Sequence, residues 1–227
     1  MKGKSLTVPI SKTEAIVGWV WVFVHTFALG YVLSAVYNYA LAPLGVELSS
    51  SQFNLVYYLI SFLFLVIFLF GFLRSSFRAL CSNILDTLVT VSVSYLAYYA
   101  VMYLVALVLA LLIPEATNPN QDAVEAQVKL NPNAMIVVAV LLAPVVEETL
   151  FRGVVFGTIR KKNAFLAYFL SALLFSVYHL WSYMLGEFSW TQVVYLIQYI
   201  PAGIILALCY EWSKSLFGPI LLHMAIN

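Results

Sequence analysis

Six stretches of this chain, at roughly 14–40, 53–73, 83–113, 133–159, 164–185 and 190–212, are long, apolar and almost free of charge. A helix crossing the hydrocarbon core of a bilayer needs about 20 mostly apolar residues. Each stretch is long enough to span, and a shorter apolar stretch at 215–227 follows them. Breaks at Pro43, Gly45, Pro114 and Pro132 separate helices. A transmembrane barrel would instead alternate apolar and polar residues over about 10-residue segments. Composition removes the other options. Charged residues make up 9% of the 227 and hydrophobic ones 63%, whereas a soluble domain carries about 25% charged residues. A net charge of +1, with no basic patch to neutralise phosphates, excludes nucleic-acid binding. The expected structure is all-α, a polytopic transmembrane helix bundle of about six full spans plus a short C-terminal helix. It forms a single integral-membrane domain over 1–227 whose partner is the lipid bilayer.

The loop charges order these spans. Lys2, Lys4 and Lys12 precede the first span, Arg74 and Arg78 follow the second, residues 160–162 follow the fourth, and Lys214 follows the sixth. The alternate loops hold Lys129 against Glu47, Glu115, Asp122, Glu125 and Glu187. An excess of Lys and Arg marks cytoplasmic loops. The N-terminus is therefore expected in the cytoplasm and 114–132 outside, in a multi-pass cell-membrane protein. The first apolar run, continuing well past the length of a signal-peptide core, reads as a retained span. The outer loop is expected to be a solvated connector with a short helix around 122–130 between two Asn-Pro-Asn turns. Tryptophans and tyrosines near span ends (Trp19, Trp21, Tyr37, Tyr39, Trp181, Trp190, Trp212) read as interfacial belts. Gly153 and Gly157 form a GxxxG read as close helix packing. Cys81 and Cys209 imply neither a disulfide framework nor a cysteine metal site.

A few ionisable groups remain inside the spans. An ionisable group at the bilayer centre costs at least about 2.5 kcal/mol, and such groups usually mark function. Asp86 and Glu211 lie near span ends and read as capping or interface residues. His25 reads as a satisfied core histidine. The fourth span is different, since it holds Glu147, Glu148 and Arg152. Glu148 and Arg152 are i, i+4 and share a helix face, so they can pair. Glu147 is turned about 100° away from Glu148 and is left as the available carboxylate, suited to general-base work. His179 follows Phe175 by four residues, and Asn227 follows His223 by four. At a rise of about 1.5 Å per residue, Glu147, His179 and His223 fall at comparable depths and can meet in one layer. Such an inventory matches what water-based peptide hydrolysis requires: a base, an imidazole to hold water and pass protons, and donors for an oxyanion. No serine or cysteine nucleophile sits beside a base.

At these residues the sequence resembles the CPBP family, the CAAX proteases and bacteriocin-processing enzymes also called Abi proteins. The motifs are EExxxR at Glu147–Arg152, FxxxH at Phe175–His179 and HxxxN at His223–Asn227. The resemblance covers roughly 133–227; the earlier spans match only as hydrophobic helices. It implies an intramembrane, metal-independent glutamate-type endopeptidase acting on a membrane-associated peptide or protein. In it Glu147 would be the base, His179 would hold the water, His223 and Asn227 would form the oxyanion hole, and Glu148 and Arg152 would organise the site. The short chain looks more like the bacterial branch, which is tied to bacteriocin immunity and peptide-signal processing. Asn227 is the last residue of the chain, where fraying is usual, so either neighbouring helices pin its carboxamide or its oxyanion role is weaker. Three other readings stay open at this stage. One is a zinc-dependent protease with Glu147, His179 and His223 as ligands; the favoured reading needs no cofactor. The others are a non-catalytic membrane scaffold or regulator of the same family, and a small transporter with an acid–histidine relay.

Overall fold

The computed structural model describes residues 8–115, 117–185 and 189–227. Among them there is no strand. Six helices are long and apolar enough to cross a membrane: α1 (Lys12–Leu44), α2 (Ser50–Phe68), α4 (Ile84–Leu112), α6 (Pro132–Arg160), α7 (Ala164–Met184) and α8 (Trp190–Ser213). Three others join them: α3 (Phe70–Ser82), α5 (Pro119–Leu130) and α9 (Phe217–Ile226). The bundle architecture read from the apolar runs is therefore the observed one. Lys2, Lys4 and Glu187, used above to orient it, lie outside the described residues.

Local chemistry sets the helix ends. Ser11 and Glu14 close a capping box on α1, Ser49 and Gln52 one on α2, and Ser189 and Gln192 one on α8, satisfying donors that a helix start leaves unpaired. The two Asn-Pro-Asn segments are helix starts rather than free turns. Asn118 and Asn131 cap α5 and α6 by accepting backbone N–H groups, with proline in the first turn. Proline is preset for that position and has no N–H to leave unpaired. The outer connector is thus a full helix from Pro119, longer than expected. At the other face the second apolar run also differs from expectation. It breaks at Leu69, and Phe70–Ser82 forms a separate helix. The Glu14 carboxylate accepts the Phe72 N–H in the first turn of α3, at 2.7 Å, a favourable place for negative charge.

α6 forms the centre. Leu150, Phe151, Val154, Val155 and Phe156 are fully buried, and α1, α7, α8 and α9 all pack against it or its flanks. The glycines Gly153 and Gly157 do not make one packing seam. A Cβ at Gly153 would sit 2.6 Å from the Phe72 ring of α3, while one at Gly157 would be in ordinary contact with Tyr210 of α8, at 3.8 Å. A helix-to-helix approach against backbone lies elsewhere: a Cβ at Gly203 of α8 would come within 2.8 Å of the Ala172 Cα of α7. The aromatic belt is also narrower than read. Tyr39, Trp190 and Trp212 are exposed, but Trp21 stacks on Phe64 with ring centroids 3.6 Å apart, and Trp181 lines an internal cavity. Glu211 is an interface residue, as its position implied. It receives two hydrogen bonds from Arg160 and one from Tyr168, at 2.7–2.9 Å, joining α6, α7 and α8.

Two helices contain wider π-helical turns, among them Val24–Ala28 in α1 and Val137–Leu142 and Thr149–Phe156 in α6. Such turns occur frequently at functional sites. Here they carry His25 and Arg152, and in α6 they flank the short α-helical turn Ala143–Glu148 that presents the two glutamates.

Candidate active site

Glu148 and Arg152 lie one turn apart on α6, and both are fully buried. Arg152 Nη1 donates to Glu148 Oε1, and its Nε lies 3.2 Å from Oε2. The guanidinium also donates through Nη2 to the Gly203 carbonyl at 3.2 Å, and its Cζ stands 4.3 Å over the Phe175 ring. Gly203 thus lets α8 come close enough to α7 for its carbonyl to reach the arginine. The remaining capacity of Glu148 goes to α9, where Oε1 accepts from His223 Nδ1 at 2.7 Å. A buried charge pair needs extra hydrogen bonds of this kind to offset desolvation. The local spacing that suggested the Glu148–Arg152 pair is realised.

Glu147 faces the other way. Its Oε1 accepts from the Tyr58 hydroxyl of α2 at 2.7 Å. Its Oε2 is buried and has no hydrogen-bond partner among the described residues. It lies 3.8 Å from His179 Nε2 and 3.9 Å from His223 Nε2. Both imidazoles are oriented from behind. His179 Nδ1 donates to the Phe175 carbonyl at 2.8 Å, and the ring stacks on Tyr199. His223 is held through Nδ1 by Glu148. In each case Nε2 is turned towards Glu147. The fixed second nitrogen is what gives an imidazole a defined role. The layer anticipated from helix rise is thereby brought to within 4 Å.

Asn227 is not loose. Its Nδ2 donates to the Ala139 carbonyl of α6 at 2.8 Å, and it lines the same cavity as Glu147, His179 and His223. Of the two alternatives for this residue, the bond matches the one in which a neighbouring helix holds it, tying the last residue of the motif on α9 to α6.

Four residues of this network, Tyr58, Tyr178, His25 and Ser61, were not singled out as site residues from sequence. Tyr58 bonds Glu147 and also shares a hydrogen bond with Tyr178 OH at 2.8 Å. Tyr178 lies 3.2 Å from His25 Nε2, and His25 Nδ1 pairs with Ser61 at 2.8 Å. His25 is indeed a satisfied, fully buried histidine, yet it belongs to a chain of hydrogen bonds that begins at the Glu147 carboxylate and runs on to Ser61. Tyr178 stands directly before His179, a local signal that was available. Tyr58 had none.

Above Glu147 is a cavity of about 890 Å³. Zinc would need Glu147, His179 and His223 as ligands. Among the described residues no group of three His, Cys, Asp or Glu side chains is arranged to hold a metal ion.

Residues 129–227 match the family model described as Rce1-like, type II CAAX prenyl endopeptidase Rce1-like. Two curated relatives are bacterial. YdiL of Bacillus subtilis (strain 168), a protein provisionally named as a membrane peptidase, is 29% identical over 94 residues, covering 41% of this chain and 34% of YdiL. The membrane-embedded CAAX protease MroQ of Staphylococcus aureus (strain USA300) is 32% identical over 94 residues, covering 38% of this chain and 34% of MroQ. The similarity thus spans about a third of the length of each relative. No solved structure matches the chain significantly. The resemblance drawn from the three motifs is shown for residues 129–227, the stretch that holds all seven motif residues.

Proposed function

With the Rce1-like match as premise, we propose that this chain is an intramembrane endopeptidase of a bacterial cell membrane that hydrolyses a peptide bond with water activated by Glu147. One observation carries the reading. A buried carboxylate oxygen with no hydrogen-bond partner among the described residues faces two imidazole nitrogens at 3.8 and 3.9 Å, at the floor of a cavity.

The roles follow from the contacts. Tyr58 occupies Oε1 of Glu147, which leaves Oε2 to take a proton from water. His179, fixed by Phe175 and Tyr199, holds that water. The water oxygen attacks the peptide carbonyl carbon while its proton passes to Glu147. The carbonyl oxygen becomes an oxyanion beside the Asn227 carboxamide and His223, whose Nε2 donates when the ring is the imidazolium paired with Glu148. As the C–N bond breaks, the proton held by Glu147 goes to the leaving amine. Glu148 and Arg152 hold His223 and the α6–α8 contact and do not exchange protons. The N-terminus is cytoplasmic and 114–132 is outside. The substrate is a membrane-associated peptide or protein, in a setting such as bacteriocin immunity or peptide-signal processing.

The test is comparative proteomics of membranes carrying the wild-type chain or Glu147→Gln. Peptides present with the first and absent with the second are expected. Equal peptide sets with equal protein levels would remove the protease reading. Dialysis of purified protein against a chelator is expected to leave cleavage unchanged. Stoichiometric zinc, with activity lost on its removal and restored on its return, would replace Glu147-activated water by metal-activated water.

A further inference from the structure

The cavity above Glu147 is reached from one side of the bundle. Among the described residues, its walls come from the end of α1, the start of α2, one face of α5, the first half of α6 and the end of α7, with His223 and Asn227 of α9 beside Glu147 at its floor. Apart from α9, which comes from the opposite face, these segments lie on the side that carries α5. On the opposite face are Lys12, Arg74, Arg78, residues 160–162 and Lys214. Between Glu147 and that face α6 continues for 13 residues, about 20 Å of helix. Leu150, Phe151, Val154, Val155 and Phe156 fill this stretch with no exposure. A peptide has no open path to Glu147 through it.

The walls have a distinct chemistry. Asn38, Asn54 and Gln127 supply carboxamides, Ser34 and Ser182 supply hydroxyls, and Trp181 with other aromatics supplies apolar surface. Among the described lining residues, Glu147 is the sole Asp, Glu, Lys or Arg. Carboxamides both donate and accept, as a peptide backbone does. A charged side chain entering this space would lose its water and find no counter-charge other than the base itself, which is costly. The volume is that of a small-ligand pocket, for which about 300–1,000 Å³ is usual. It fits a short extended segment and not a folded domain.

We propose that the chain takes its substrate from the exoplasmic face, as an extended segment whose side chains around the cut bond are uncharged. The side of entry combines the cavity's opening with the rule that Lys- and Arg-rich loops stay in the cytoplasm. The nature of the cut segment rests on the protease reading above. A prenylated tail offered from the cytoplasm would meet the packed end of α6 instead.

The test uses the whole chain in intact cells with a membrane-impermeant maleimide. Asn38→Cys on α1 and Ser182→Cys on α7 place exposed thiols on two separate walls of the opening. The native Cys81, exposed on α3, is the control for the opposite face, and Cys209 is buried. Both introduced cysteines are expected to label in intact cells, and Cys81 only after permeabilisation. The reverse pattern would overturn the side of entry, whether or not the chain is a protease. Cut sites are read from the membrane peptides that disappear with Glu147→Gln. Most should have no Asp, Glu, Lys or Arg within two residues of the cut bond; charges at those positions in most of them would overturn the substrate class. Identical peptide sets would remove the protease reading itself, while the labelling still decides the side.

Discussion

Helices α4 and α6 have the same length, 29 residues, and are almost equally apolar, yet the protein treats them in opposite ways. In the most apolar 18-residue stretch of α4 6% of residues are buried within the protein; in that of α6 56% are. Apolarity therefore places a helix in the bilayer but does not choose its position there. Lipid is as apolar as leucine, so helices associate through close packing and polar contacts instead. α6 carries Glu147, Glu148, Arg152 and Gly153, groups that demand protein partners. α4 buries only Thr87, Ser94 and Val105 and presents leucines and valines to lipid.

The sharpest test of this contrast is the central carboxylate. Glu147→Gln keeps size and much of the hydrogen bonding but removes the base. General-base catalysis is typically worth about 10²–10⁴-fold, so cleavage by purified protein should fall at least about a hundredfold while the melting temperature barely moves. Near-normal activity would break the assignment of α6 as the catalytic helix.

Glu148→Gln should act on stability as well as rate. It leaves Arg152 without its buried counter-charge, and removing one partner of such a pair costs about 3–5 kcal/mol. A melting curve in detergent should show the loss. A variant that is fully stable yet inactive would instead give Glu148 a direct part in the chemistry.

A matched pair of leucines sharpens the comparison. Leu150 on α6 is fully buried and Leu96 on α4 is 70% exposed. Leu150→Ala should cost about 2–5 kcal/mol through the cavity it leaves. Tyr58→Phe comes next. It removes one hydrogen bond to a carboxylate, worth about 1.5–3 kcal/mol. The expected result is a fall in kcat of roughly tenfold or more, accompanied by a loss of several degrees in melting temperature. An unchanged kcat would confine the α2 contribution to scaffolding. Leu96→Ala has the smallest effect, within about 0.5 kcal/mol, because its side chain meets lipid. A loss as large as that of Leu150→Ala would mean that α4 is covered by another protein surface.

Sequence reading reached the parts of this site that are local. The pairs Glu148–Arg152, Phe175–His179 and His223–Asn227 are each four residues apart, and helix geometry brings four-residue neighbours to one face. The meeting of Glu147, His179 and His223 was approachable through depth alone, since each helix advances by a fixed rise. Contacts that depend on rotation between helices were out of reach. Tyr58 is one of fifteen tyrosines, and nothing in its neighbours shows that its hydroxyl meets α6. Trp21 and Trp181 looked interfacial by position because inward and lipid-facing aromatics share the same composition. The break at Leu69 was missed because the apolar run passes through it without a proline.

The π-helical stretch Thr149–Phe156 has a consequence for how this helix tolerates change in length. A wide turn absorbs an extra residue, so the segments on either side of it are set at phases that an unbroken α-helix would not give. Deleting one residue there would let the turn close as ordinary α-helix and leave Arg160 near Glu211, whereas the same deletion in a regular helix such as α4 would rotate everything beyond it by about 100°. The stretch is the place where α6 can change its length without changing its angle, as a slack link does in a taut chain.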